Sequence, residues 1–440
     1  MRAEAHVTLP INRTGANAGY EAARAYLRGR IAVAQDLAVG DGHDEARALL
    51  ANLQPEIAGA DDDIVALFFQ AYAIANRRAR LVEQSFTAFQ KALRAARRST
   101  KASLQQVVLV NYGTALAQDG RVKLGVTLIG KALEIETGPF QRLAMLVNYA
   151  EALFTAGRLD RAAEALHEFH DLYGRHPRGD YMLAAIVTGI PLGVMLDDKR
   201  LLRWCSDPAL LELAFVRPGD YQGLGQAAEA FCFLYEHSGR RKDHDAILNR
   251  AVEALPSLDA GLGLALRAAR FGSAEQVLRI KGMMDQHCVG DGALVRAYRA
   301  LYDSFLAARH RSTQRAKKLA LQAVADLAGL DRPLLEALAL EAAGMGDAAD
   351  QLCRKCGSKT GALRLNWRGR ALPRRIGAEL TAREREVAEL AAEGMADRSI
   401  ARALGLSERT VQCHCRAIFA KLGIRSRWQL TMLPGEAPPE

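Results

Sequence analysis

Between about residue 20 and residue 353, apolar and small positions recur at the three- and four-residue spacing of amphipathic helices and prolines are few, which predicts a long succession of helices. The pattern repeats. Leu109-Val110-Asn111-Tyr112, Ala115-Leu116 and Gly120-Arg121 return as Leu146-Val147-Asn148-Tyr149, Ala152-Leu153 and Gly157-Arg158, an offset of 37 residues in every pair. That period is close to one helical hairpin. In each copy an aromatic and small alanines lie on the first helix, Gly-Arg makes the turn, and a second helix follows, over Val126 to Ile135 and Ala162 to Tyr173. Weaker copies run from Phe68 to Leu93, Ala228 to Leu255 with Gly239-Arg240 at the turn, Leu262 to Met284, Val295 to Leu327, and Leu334 to Cys353 around Gly344-Met345-Gly346-Asp347. The stretch allows roughly eight hairpins. Stacked, they form an α-solenoid in which neighbours bury what one hairpin cannot; a non-repetitive helical bundle is the competing architecture.

From Leu380 to Leu430 the spacing shortens to three helices. Thr381 and Glu384 fit a capping box, Val387, Leu390 and Ala391 recur at helical spacing, and Gly394 supplies a left-handed stop. Asp397 is placed to cap a second helix carrying Ile400, Ala401 and Leu404, ended by Gly405. Ser407 then caps a third helix reaching about Leu422. Two helices joined by a tight glycine turn are the helix-turn-helix arrangement. On the third helix Val411, Cys415, Ile418 and Leu422 share one face and predict packing on the first two. The opposite face carries Arg409, Gln412, Cys413 and Arg416. A capped helix N-terminus favours phosphate, and Arg and Gln make bidentate contacts to guanine and adenine edges.

The segment resembles the LuxR-type helix-turn-helix, the FixJ/NarL/LuxR class of bacterial transcription factors. The matching residues are L-T-x-R-E-x-E-V at Leu380 to Val387, Gly394, I-A-x-x-L at Ile400 to Leu404, S-x-x-T-V-x-x-H at Ser407 to His414, and K-L-G at Lys421 to Gly423. The resemblance implies double-stranded DNA as partner. It places Ser407 and Thr410 near the DNA backbone, Gln412, Cys413 and Arg416 in the major groove, and Lys421 against phosphate. It further implies a fourth helix around Arg427 to Leu433 that pairs two copies into a homodimer on DNA. Ser399, where an acid is frequent, Ala420, where a base is frequent, and Cys413 at a base-facing position depart from the pattern. The repeats of the front region are similar to tetratricopeptide repeats, with only part of the usual signature.

Charge changes the picture chiefly at the C-terminal end. Residues 354–440 hold 17 Lys and Arg against 9 Asp and Glu, a net of +8 out of the chain's +9. Arg354 to Arg375 contains eight Lys or Arg and no acid, interrupted by Gly357, Gly361, Gly369 and Pro373, which reads as a basic linker. No run approaches the roughly 18 to 20 apolar residues of a membrane span. The first twenty residues carry an early acid, Glu4, and no apolar block, unlike a secretory signal, and seven cysteines show no disulfide framework. These features predict a cytoplasmic protein without a membrane partner.

Catalytic and metal motifs dissolve on inspection. Gly125 to Ala132 has the two glycines and lysine of a phosphate loop, but Ala132 replaces the metal-holding hydroxyl and the context is helical. Cys353-Arg-Lys-Cys356 lacks a second ligand pair for zinc. Cys413 and Cys415 point to nearly opposite sides of a helix. His167 and His170 with Glu168, and Asp61-Asp62-Asp63, read as a solvated helix face and as cap residues. The front region lacks the strand–helix alternation of a receiver domain. The sequence therefore predicts an all-α protein without catalytic residues, metal or cofactor: a flexible N-terminus (1–19), a tetratricopeptide-like solenoid (20–353), a basic linker (354–376), a four-helix LuxR-type domain (377–434) and a tail (435–440). Its expected role is sequence-specific transcription regulation, controlled by a protein, peptide or small molecule at the solenoid. The alternative is a helical-repeat adaptor whose terminal domain binds protein.

Overall fold

A computed structural model describes residues 18–39, 42–136, 138–175, 179–216, 221–255, 262–287, 292–309, 312–360, 380–392 and 395–422. Among them there are helices and no strands. The front region is a train of helical pairs: α1 (Ala18–Val39) and α2 (His43–Leu53), followed by the 3-10 turn Gln54–Ile57; α3 (Asp62–Arg78) and α4 (Val82–Arg98); α5 (Ala102–Gln118) and α6 (Val122–Leu133); α7 (Pro139–Thr155) and α8 (Leu159–Tyr173). It continues with α9 (Gly179–Leu196), α10 (Lys199–Cys205) and α11 (Pro208–Val216); α12 (Tyr221–His237) and α13 (Arg241–Ala254); α14 (Leu262–Phe271) and α15 (Ala274–His287); α16 (Ala293–Arg309) and α17 (Thr313–Leu327); α18 (Pro333–Ala342) and α19 (Gly346–Lys355). This is the α-solenoid that the repeats predict.

The 37-residue offset has a physical origin in the turns. Gly120 and Gly157 adopt φ of +95° and +68°, which glycine reaches without steric penalty. The next residue folds back in the same way each time: Arg121 N donates to Leu116 O and Arg158 N to Leu153 O, both at 2.9 Å. This is the Schellman closure of a helix end. It recurs at Gly239 and Gly344, where Arg240 N reaches Tyr235 O and Met345 N reaches Leu340 O, again at 2.9 Å. Helix pairs also approach closely. A Cβ on Gly125 would lie 2.5 Å from Gly113 O, so the glycine of the phosphate-loop-like segment is a contact between α5 and α6.

Three apolar cores run through the train, one under α1–α3, a second from α3 to α9 and a third from α9 to α18. Phe68, Phe89, Phe169 and Phe231 are fully buried in them, each removing enough apolar surface from water to contribute about 1.5–3 kcal/mol. Asp61 caps α3, accepting from Ile64 N at 2.9 Å, and pairs with Arg24 of α1 at 2.6 Å. Asp63 accepts from Ser99 and pairs with Lys101, so the acidic triplet ties three elements together. His167 Nε2 sits 2.8 Å from Asp198 Oδ2, and His170 stacks on Trp204 at 5.0 Å. Cys353 is buried in the small core of the last hairpin, where burial pushes its thiol up to about 12.

The end of the region differs from the expected linker. Arg354 and Lys355 form the last turn of α19, Cys356 is buried, and residues 358–360 hydrogen-bond to the end of α9. The rest of the expected linker, residues 361–376, lies outside the described residues. No described helix is long and apolar enough to cross a membrane.

Candidate nucleic-acid interface

Three helices follow: α20 (Ala382–Ala392), α21 (Asp397–Leu404) and α22 (Glu408–Lys421). The capping box is formed: Thr381 N donates to Glu384 Oε2 at 2.7 Å and Glu384 N to Thr381 Oγ1 at 3.2 Å. Two of the backbone donors at the helix start are thereby satisfied. The cap of α21 is Ala396, without a side-chain bond, and Asp397 is the first helical residue instead. There its charge complements the helix dipole. Gly405, at φ +65°, closes α21, and Ser407 Oγ accepts from Thr410 N at 3.1 Å to cap α22. Gly394 and the expected fourth helix, Arg427 to Leu433, lie outside the described residues.

The apolar face of α22 is as its spacing predicts. Val411, Cys415 and Ile418 are buried with Leu380, Val387, Ala388, Ala391, Ile400 and Ala401, and Leu422 packs at the margin. Arg409, Gln412, Cys413 and Arg416 are exposed together on the opposite face. Ser407 is exposed at the cap and Thr410 half-buried beside it, its hydroxyl 2.7 Å from that of Ser407. The helix thus presents two guanidinium groups, an amide and a thiol beyond a capped N-terminus. Such an array suits the edges of base pairs and the phosphates flanking them. Glu408 opposes phosphate at the first helical position, with Arg398 3.8 Å away across the turn.

Lys421 makes a contact that its motif position does not announce. Its ammonium lies 2.6 Å from Glu384 Oε2, joining the end of α22 to the capping box of α20. Lys421 and the Thr381 backbone amide hold the Glu384 carboxyl down at about 2. Arg383 likewise donates to Leu404 O at the end of α21. Local pattern assigns it no role, because that partner is 21 residues away and only the folded turn brings the two together. Ser399 and Ala420, the departures from the family pattern, are both exposed.

Comparison with known proteins agrees with this geometry. Residues 378–433 match the family described as bacterial regulatory proteins, luxR family. A protein of Mycobacterium bovis and one of Mycobacterium tuberculosis, both named as HTH-type transcriptional regulators, are 46% identical to this chain over 61 residues. The match covers 14% of this chain and 7% of each relative's length. Among solved structures, this chain is similar to a Rap protein complexed with competence and sporulation factor, at TM-score 0.44 and 9% identity, covering 75% of this chain and 99% of that one. The apo form of RapI is similar at TM-score 0.40 and 10% identity, covering 77% and 87%. The C-terminal domain of this chain is a helix-turn-helix domain of the luxR family of bacterial regulatory proteins, carried behind a helical-repeat region.

Proposed function

We propose that the chain is a sequence-specific DNA-binding transcription regulator that acts by binding without catalysis. The observation that carries this reading is the joint exposure of Arg409, Gln412, Cys413 and Arg416 on the face of α22 opposite its buried Val411, Cys415 and Ile418. In this reading Ser407 and Thr410 approach the DNA backbone at the start of the helix. Gln412, Cys413 and Arg416 read base edges, Cys413 by apolar contact with a thymine methyl. Lys421 neutralises phosphate while retaining its bond to Glu384, since an ammonium has three donors. Two copies pair on DNA, and the helical-repeat region takes the controlling protein, peptide or small molecule in the cytoplasm. Arg416→Ala is expected to weaken binding to a selected duplex by about 1–3 kcal/mol and to relax its sequence preference. Unchanged affinity in an anisotropy titration would remove Arg416 from the interface.

A further inference from the structure

The helical region closes on itself. Arg332, just before α18, donates through Nη2 to Ala117 O and Gln118 O at 2.8 Å each, bridging a separation of 215 residues. Beside it Lys123 pairs with Asp331 at 2.6 Å, Leu330 seats on the turn at Gly120, and Pro333 and Cys356 seat on the turn at Gly157. Farther on, Leu159 N donates to Cys356 O at 3.3 Å. Lys359 N donates to Met195 O at 2.8 Å, and the hydroxyls of Ser358 and Thr360 donate to the carbonyls of Met195 and Val194. The last hairpin and its exit thus run across the turns that end α5, α7 and α9.

Its two attachments differ in kind. Toward the preceding hairpin, Leu330, Leu335, Leu338, Ala339 and Ala342 join the third apolar core. Toward the earlier turns, Leu334 and Cys356 reach the second core, and the rest is ion pairs and hydrogen bonds to carbonyls at helix ends. Water replaces such bonds at small net cost, so the closure parts at these turns before the hairpin leaves its neighbour. The exit is held at an acidic edge: in one cleft Asp160, Glu164, Asp197 and Asp198 outnumber Lys199 and Lys359, with His167 bonded to Asp198. Beyond Thr360 the sequence continues with five arginines before the next acid, Glu379.

We propose that residues 329–360 are a latch that keeps the helical region closed and holds residues 358–360, from which the chain runs on toward the DNA-binding domain, beside this acidic edge, which repels phosphate and lowers DNA affinity. Opening at Arg332 frees residues 358–360 from that edge. This rests on the reading of the C-terminal domain as a DNA reader.

The test uses the full chain and a duplex that the protein itself selects from a random pool. In Arg332→Ala, amide exchange of residues 356–360 should rise about tenfold or more while α16 and α17 keep their protection, and affinity for the duplex should rise about fivefold or more. Gly157→Cys supplies the opposite perturbation. A Cβ there lies 3.4 Å from Cys356 Cβ, near disulfide spacing, with Pro333 giving way. Oxidised Gly157→Cys should bind the duplex more weakly than its reduced form, with oxidised and reduced wild type as references. Unchanged exchange in Arg332→Ala overturns the latch, and so does raised exchange with unchanged affinity in both variants. Arg416→Ala measured alongside separates the two readings: if it leaves binding intact, the assignment of the DNA reader fails whatever the exchange of residues 356–360 shows.

Discussion

Two glycines on one helix, α6, are expected to answer the same substitution with opposite signs. In a helix with open surroundings Gly→Ala stabilises by about 0.8–1 kcal/mol, because alanine loses less backbone freedom on folding. At Gly130 an added Cβ meets the Tyr149 ring at 3.7 Å, an ordinary contact, so Gly130→Ala keeps that gain. At Gly125 the same atom lies 2.5 Å from Gly113 O and 2.9 Å from Ala117 N. Both are backbone atoms, so α5 and α6 must separate, a strain of about 1–3 kcal/mol. Subtracting the propensity gain leaves Gly125→Ala destabilising by about 1 kcal/mol, and the two variants differ by about 2 kcal/mol. Amide exchange of α5 and α6 in the full chain reads this as about a thirtyfold difference in protection, since each 1.4 kcal/mol is tenfold. Equal or better protection in Gly125→Ala would refute the close approach of α5 and α6.

The buried pair at the α12–α14 contact gives a larger effect. Burial alone would push the Glu236 carboxyl up, and Arg267 with His244 overcome it, holding the group at about 2. Arg267→Met leaves that buried charge with His244 alone and should cost about 3–5 kcal/mol, with Glu236→Gln in the same background recovering part of it in a thermal melt. In the DNA-binding domain, the depressed Glu384 carboxyl contributes stability that is fully present above its ordinary 4.5 and lost as pH falls toward about 2. The protection of α22 in wild type over Glu384→Gln should therefore shrink across that window; a constant difference would show that the Lys421 contact does not form in solution. Lys421→Ala should lower the salt dependence of DNA binding by about one phosphate contact, and an unchanged slope would assign Lys421 wholly to Glu384.

What the sequence discloses here follows from how local each device is. The hairpins announced by Gly120-Arg121, Gly157-Arg158, Gly239-Arg240 and Gly344-Met345 are legible because one backbone closure needs the same residue type at the same place. The capping box and the face of α22 are legible for the same reason, since every partner lies within one or two turns. By contrast α9 contains Pro191 and is apolar around much of its circumference, with α7, α8, α10, α11 and α12 packed about it, so no clear stripe marks it as half of a hairpin. The capping role moved from Asp397 to Ala396 because a β-region backbone, not a side chain, begins α21. The pairs Lys421–Glu384 and Arg332–Ala117 join residues that no periodicity relates.

The bond from Arg332 to the end of α5 also fixes an order of events during synthesis. At about 5–20 residues per second, the Gln118 carbonyl, and the second acceptor site of the Ala117 carbonyl, which already accepts from Gly120 N, wait about 10–40 s for an Arg332 donor made 214 and 215 residues later. The hairpins from α3 to α8 must therefore fold with that edge hydrated, and water is expelled from it only when the last hairpin emerges. Closure of the helical region therefore cannot precede the last hairpin, which emerges just before the DNA-binding domain is made.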